Sequence, residues 1–356
     1  MLNMKNLSIP ISNVHLLLLF ALVSLTPIWG IKYNVRKALP ISRVKKHPYT
    51  HMLSHGMNEQ RLKTKSVNYN KLLVIMVDFQ EEINDDPLTT GNGKFQLVAD
   101  PNYQITIGNA PHDKEYFEAN LEALRYYYLA ASHNCFSLEY DVYPKNQTAY
   151  TLPHPIRYYN PPDASSALFV SRVQEYFKTA FELADAIDPQ IDFSAYSHFM
   201  IIHAGSDWQH DTKNDTPSDI PSFFIKVPQG KEAVVDNGTV LISYACNVPE
   251  TISQDITTTE YDGVVYYTGY GALNGVLAHE FGHSMGLVDL YNTYNFYPMV
   301  GQFDIMDSGG SGLTPYGIDQ NILVEGMLPC LPGAFSRMIM FEDYFQDNGL
   351  MLEIDN

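Results

Sequence analysis

The strongest constraint on the fold is the run Leu72–Phe79 (LLVIMVDF), where apolar residues follow one another without the alternation of a half-exposed strand. So short and continuous a run predicts a strand buried on both faces, with other layers covering it. His198–Ala204 (HFMIIHA) predicts a second buried strand, Ser222–Val227 and Thr239–Tyr244 further ones, and Cys135–Tyr143 a strand that alternates. Two long helices supply the covering layers. His112–Ser132 places Tyr116, Phe117, Leu121, Leu124 and Tyr128 on one face, and Ser165–Ile187 forms the second. Asn84–Ala110, punctuated by Gly, Pro and Asn, reads as loop. The expected class is α+β, a mixed twisted sheet with long backing helices, and no internal repeat stands out.

Charge divides the 356 residues unevenly, although the whole carries −18. Residues 1–65 hold ten Lys/Arg against a single acid, Glu59, while residues 66–356 hold the other twelve bases and 39 acids. The leader is therefore +9 and the body −27. Lys5 followed by the apolar Leu16–Leu25 (LLLLFALVSL), then Thr26, Pro27 and Gly30, fits a secretory signal over residues 1–30. The run falls short of the roughly 20 apolar residues that span a bilayer. Residues 31–66 read as a basic pro-segment or linker, and residues 67–356 as the globular domain. His47, His51 and His55 share a helical spacing, but Pro48 weakens the helix, and a solvated basic stretch is the simpler reading. The expected product is exported, with no membrane contact after signal cleavage. The acidic body argues against nucleic-acid binding. Three cysteines exclude a disulfide scaffold, and the first is Cys135, so the leader holds no thiol with which to block a metal. Asn146, Asn214 and Asn237 each open an Asn-x-Thr sequon.

The chemistry concentrates in Gly275–Tyr291, GVLAHEFGHSMGLVDLY. His279 and His283 are four apart, so on a helix both imidazoles project from one face, one turn apart. Glu280 stands beside them as a general base that acts on water without ligating the metal. This is the zinc hydrolase pattern HExxH. Gly282, unfavourable in a helix by about 1 kcal/mol relative to Ala, signals close packing. Gly286 can end the helix in a left-handed turn, letting the chain swing back so that Asp289 becomes a third ligand. A rival third ligand is Glu325, on Asn321–Glu325, but it leaves Gly286 and Asp289 without a role. Phe303–Gly310 (FDIMDSGG) sets Met306 in a tight turn downstream, where a methionine supplies an apolar floor beneath the histidines, a Met-turn.

HEFGHSMGLVDLY followed by FDIMDSGG resembles the M6 family of secreted metallopeptidases, the immune inhibitor A type. KLLVIMVDFQ, LRYYYLAASHNCFSLEYDVYP and DFSAYSHFMIIHAG are similar to that family's upstream segments, so the resemblance covers roughly residues 70 to 310. It implies a metzincin-like catalytic domain, zinc-dependent endopeptidase activity on proteins or peptides, export as a zymogen and often structural calcium. By position it implies His279, His283 and Asp289 as zinc ligands, Glu280 as base and Met306 as the turn methionine.

Other residues carry weaker signals. The loop His203–Asp219 holds Asp207, Asp211, Asp215 and Asp219, hard oxygen donors of the type calcium takes, without EF-hand spacing; an acidic solvated loop is the alternative. His210 lies in the same loop with nothing to tie it to the metal helix. Tyr291, Tyr294, Phe296 and Tyr297 crowd the connection to the Met-turn and are candidates to line a substrate pocket. Two further functions fit the same residues: a zinc hydrolase of a non-peptide amide or ester, and a non-catalytic binding protein on the same fold.

Overall fold

The computed structural model describes residues 70–134 and 136–341. The expectations for a signal peptide and a basic pro-segment fall outside the described residues, as does Cys135.

The chain opens on β1 (Lys71–Asp78), buried along nearly its whole length as the apolar run requires. It belongs to a sheet with β2 (Glu139–Tyr143), β3 (Tyr150–Thr151), β4 (His198–His203), β5 (Phe223–Lys226) and β8 (Tyr244–Pro249). The strand order is β2-β1-β4-β8-β5, with β3 paired to β1 beyond the end of β2. All neighbours run parallel except β5, which lies antiparallel to β8 at the sheet edge, Phe223 opposite Asn247. The fold is α+β with mixed sheets, as the sequence led one to expect.

Helix α1 (Lys114–Ala131) starts where the Asp113 carboxylate accepts from Tyr116 N–H at 3.0 Å, and buries Phe117, Leu121, Leu124, Tyr128 and Ala131. A four-residue helix, α2 (Ile156–Tyr159), precedes α3 (Ser166–Ile187), which Ser165 caps. α4 (Asn274–Ser284) and α5 (Ala334–Met340) complete the helices of the described residues. Side chains of adjacent strand residues point to opposite faces. On β4, His198 meets Phe281 of α4 while Phe199 meets Phe181 of α3, so these two helices cover opposite faces of the sheet. α1 packs beside α4, Tyr128 against Phe281, with the Tyr128 hydroxyl donating to the Ala278 carbonyl at 2.6 Å.

Two expectations are corrected in detail. Among the described residues of the predicted 135–143 strand, only Glu139–Tyr143 pair as a strand. The predicted 239–244 strand is the short β7 (Val240–Ile242), in a hairpin with β6 (Ala233–Val235), and β8 begins directly after it. A second sheet was not foreseen. Its order is β11 (Leu313–Tyr316), β12 (Ile322–Glu325), β10 (Val264–Gly271) and β9 (Thr257–Tyr261). Asp262-Gly263, both at positive φ, closes the β9–β10 hairpin, a signal present in the sequence. β10 runs into α4, and the bonds Ala272 N–H to Glu325 C=O and Gly275 N–H to Gly326 C=O moor the start of that helix to β12.

Candidate metal centre

α4 carries His279, Glu280 and His283, and its C-terminus decides where the next residues go. Gly286 N–H donates to His283 C=O and Leu287 N–H to Gly282 C=O, the paired bonds of a Schellman ending. The turn needs Gly286 at φ +92°, and a β-carbon there would meet nothing within 4 Å, so conformation rather than space selects the glycine. Leu287, buried, anchors the return. Leu290 N–H then donates to Met306 C=O at 2.8 Å, which brings Asp289 back over the helix.

His279 Nε2 lies 3.2 Å and His283 Nε2 3.4 Å from Asp289 Oδ1. Each imidazole also meets a carbonyl through Nδ1: His279 with Ile305 C=O at 2.9 Å, His283 with Leu287 C=O at 3.0 Å. A carbonyl only accepts, so both Nδ1 atoms carry the hydrogen and both Nε2 atoms present lone pairs inward. Asp289 Oδ1 is buried without a hydrogen-bond partner. Three electron-pair donors thus converge, with spacings close to the ~3.3 Å edge of a tetrahedron built on metal–ligand bonds of ~2.0–2.1 Å. A proton competes with a metal ion for these donors. Burial alone would lower His283, but the Asp289 carboxylate overrides it and holds the imidazole at about 9. Burial likewise opposes the charge of Asp289, yet His283 and His279 keep its carboxyl well below the ordinary carboxylate range. A metal ion replaces that proton electrostatically, and the residues present fit zinc.

Met306 is fully buried, with its Sδ against Gly282 of α4. Two acids that the sequence left unmarked hold its turn. Asp304 accepts from the N–H groups of Met306 and Gly333 and from the Ser336 hydroxyl; Asp307 Oδ2 accepts from the N–H groups of Met299, Val300 and Gly301.

A cleft opens over these residues. Glu280, His279, His283, Asp289 and Tyr291 line it, with Phe223 and Phe224 of β5, the preceding Ser222, and Asp207, His210 and Glu325. Phe224 also packs against the His283 ring, so the edge strand touches the ligand helix. Of the four aromatic candidates Tyr291 alone lines the cleft, its ring nearly parallel to His279; burial and the nearby Asp289 raise its hydroxyl far above the usual range. Tyr294 and Tyr297 point to solvent and Phe296 packs on Tyr291. Glu325 stands on a strand, with Oε1 3.9 Å from His210 Nε2, and falls outside the group formed by His279, His283 and Asp289.

The acidic loop is divided differently from the sequence expectation. Asp211 and Asp215 group with Asp255, far along the chain, rather than with Asp207. Lys213 Nζ stands 3.1 Å from Asp255 Oδ1, so part of that cluster's charge is met from within the chain. Asp207 is turned to His210 and to the Ser222 hydroxyl, and Asp219 accepts from the Thr90 N–H and hydroxyl. The acids of one loop diverge because adjacent backbone turns face different neighbours. The three sequon asparagines are exposed. Cys246 is buried and Cys330 half-buried, and neither forms a disulfide. Among the described residues no helix is long and apolar enough to cross a membrane.

A comparison of the chain with protein-family models finds no match, and a comparison with curated proteins finds none either.

Proposed function

We propose that the chain is a zinc-dependent endopeptidase, secreted and metzincin-like, of the immune inhibitor A type that its motif resembles. The observation that carries this reading is the convergence of His279 Nε2, His283 Nε2 and Asp289 Oδ1 with Glu280 in a cleft also lined by β5, the edge strand of the sheet among the described residues. His279, His283 and Asp289 would hold zinc, which when bound supplies a Lewis acid for the scissile carbonyl and makes water more acidic. Asp289 leaves the ligand set more negative than three imidazoles would, which puts more of the deprotonation on Glu280.

Glu280 is nearly buried at the cleft wall, next in sequence to the ligand His279 and unable to share its role. It takes a proton from water as the water oxygen bonds to the carbonyl carbon and the π pair moves to the carbonyl oxygen. That pair then returns, the C–N bond breaks, and Glu280 gives its proton to the departing amine. β5, antiparallel at the sheet edge, offers backbone groups to an extended peptide, which explains how a protein substrate would lie across the ligands. Calcium at Asp211, Asp215 and Asp255 belongs to the same reading and is independent of the catalytic step.

The test is casein hydrolysis by the zinc-loaded wild type and Glu280→Gln, with zinc content measured in both. Equal zinc with activity reduced by roughly a thousandfold or more is expected. A variant that keeps both zinc and full activity overturns the mechanism. Hydrolysis of small esters but not of casein by the wild type overturns the substrate class.

A further inference from the structure

The cleft that holds the ligand residues also holds an imidazole that takes no part in the metal group. His210 is nearly buried, and its Nδ1 and backbone N–H both meet Asp207 Oδ1. Asp207 is fully buried, its other oxygen accepts from the Ser222 hydroxyl at 2.5 Å, and its carbonyl accepts from Gln254 Nε2 at 3.3 Å. Turning the ring would break a bond to a buried carboxylate, a costly change. With Nδ1 tied, Nε2 is the ring nitrogen on the cleft side, 3.9 Å from Glu325 Oε1.

The same loop is sewn to the edge strand. Gln209 Nε2 donates to Ser222 C=O and Ser222 N–H donates to Gln209 Oε1, so one side-chain amide brackets the residue that leads into β5. His210 is therefore fixed relative to the strand along which the substrate would lie. His210 thus lines the same cleft as Glu280, His279, His283 and Asp289.

We propose that His210, oriented by Asp207, donates a hydrogen bond from Nε2 to the carbonyl oxygen of the bond being cleaved and stabilises the negative charge that collects there. The assignment rests on reading the cleft as a peptidase site. With Nδ1–H given to Asp207, an Nε2–H makes the ring cationic, and Asp207 and Glu325 on either side offset that charge. The donor is pre-aimed where charge develops and needs no reorganisation during the reaction. His210 transfers no proton in this role; Glu280 keeps the proton transfers. Asp207 is a positioning residue.

The experiment uses the zinc-loaded full chain and the variants His210→Phe, His210→Gln and Asp207→Asn. A phosphinic peptide, whose tetrahedral anionic phosphorus resembles the charged state, serves as a binding probe by calorimetry. For His210→Phe, kcat should fall about 100- to 1,000-fold with KM changed less than about threefold and zinc content unchanged, while loss of the bond to buried Asp207 lowers the unfolding midpoint without unfolding the chain at assay temperature. Phosphinic peptide affinity should fall in step with kcat/KM. His210→Gln, which keeps an N–H donor, should recover about tenfold or more of the loss. Asp207→Asn should lower kcat in the same sense, and its effect should not add to that of His210→Phe. Wild-type kcat in His210→Phe, a loss confined to KM, or unchanged phosphinic peptide affinity overturns the assignment while leaving the peptidase reading intact if Glu280→Gln is inactive. A zinc-loaded wild type that cleaves no peptide removes both.

Discussion

Met306 occupies the space that a side chain at Gly282 would need: a β-carbon built there would stand 2.7 Å from Met306 Sδ, 3.2 Å from the Tyr128 hydroxyl and 3.4 Å from Leu287 Cδ1. The glycine that looks unfavourable in the helix is what lets the floor methionine, α1 and the returning chain all close on α4. Gly282→Ala gains up to about 1 kcal/mol of helix propensity but crowds a fully buried site, at a cost of about 1–3 kcal/mol. A net loss of about 1 kcal/mol in urea unfolding is expected. Met306→Ala, which alone costs about 2–4 kcal/mol, should cost less in the Gly282→Ala background, because it removes the crowding. Strict additivity would show that the glycine does not serve this contact.

Gly286 differs, since its surroundings are open and only its backbone is unusual. Gly286→Ala should therefore destabilise by about 1 kcal/mol, Gly286→Asn by less and Gly286→Val by more, following the cost of a left-handed turn. Equal effects of Asn and Val in chemical denaturation would contradict this.

The third ligand is separable from its rival by metal content. Asp289→Ala should lower zinc occupancy after dialysis, while Glu325→Ala, altered elsewhere in the cleft, should keep the wild-type zinc content. The reverse result, read by elemental analysis of the purified variants, would move the ligand role to Glu325.

Acid should weaken the fold through buried histidines. Burial pushes His203 down to about 4, its backbone bond to Ala204 and the charge of Asp207 only partly opposing, and burial pushes His198 down to about 4 as well. Between that value and the ordinary 6.5, the unfolded chain binds protons that the folded one refuses. The stability is thus complete above about pH 6.5 and is lost as pH falls toward 4, by about 3 kcal/mol for His203. Burial raises Asp219 to about 7, which acts in the opposite sense over an overlapping range. The difference between wild type and His203→Gln isolates the one group: the stability gap, measured by urea unfolding from pH 7 to 4.5, should shift in favour of the variant as pH falls. A gap independent of pH would remove His203 from the acid response.

Much of this was legible beforehand because it is local. The apolar run at Leu72–Phe79 and the faces of α1 and α3 follow from periodicity. The helix ending at Gly286 follows from the one residue type that takes φ +92° without strain. Three other features depend on partners distant in sequence and so left little local trace. β8 carries both apolar and polar residues because Asn247 is buried through its bond to Tyr176 of α3, which hides the strand's character. The second sheet pairs β10 with β12 from some fifty residues away. The Asp207–His210 pair looked like part of an acidic loop until the fold set it in one cleft with Glu280.

The sequence by itself determined the α+β class, the helix that carries His279, Glu280 and His283, and the glycine turn that returns Asp289, because each depends on contacts within a few residues or on a backbone preference. The tertiary structure decided which acids share a neighbourhood, which aromatic ring faces the cleft, and what shares that cleft with the ligands. Those are questions of which distant segments meet, and burial in a packed core fixes them through many weak contacts that no single stretch of sequence records.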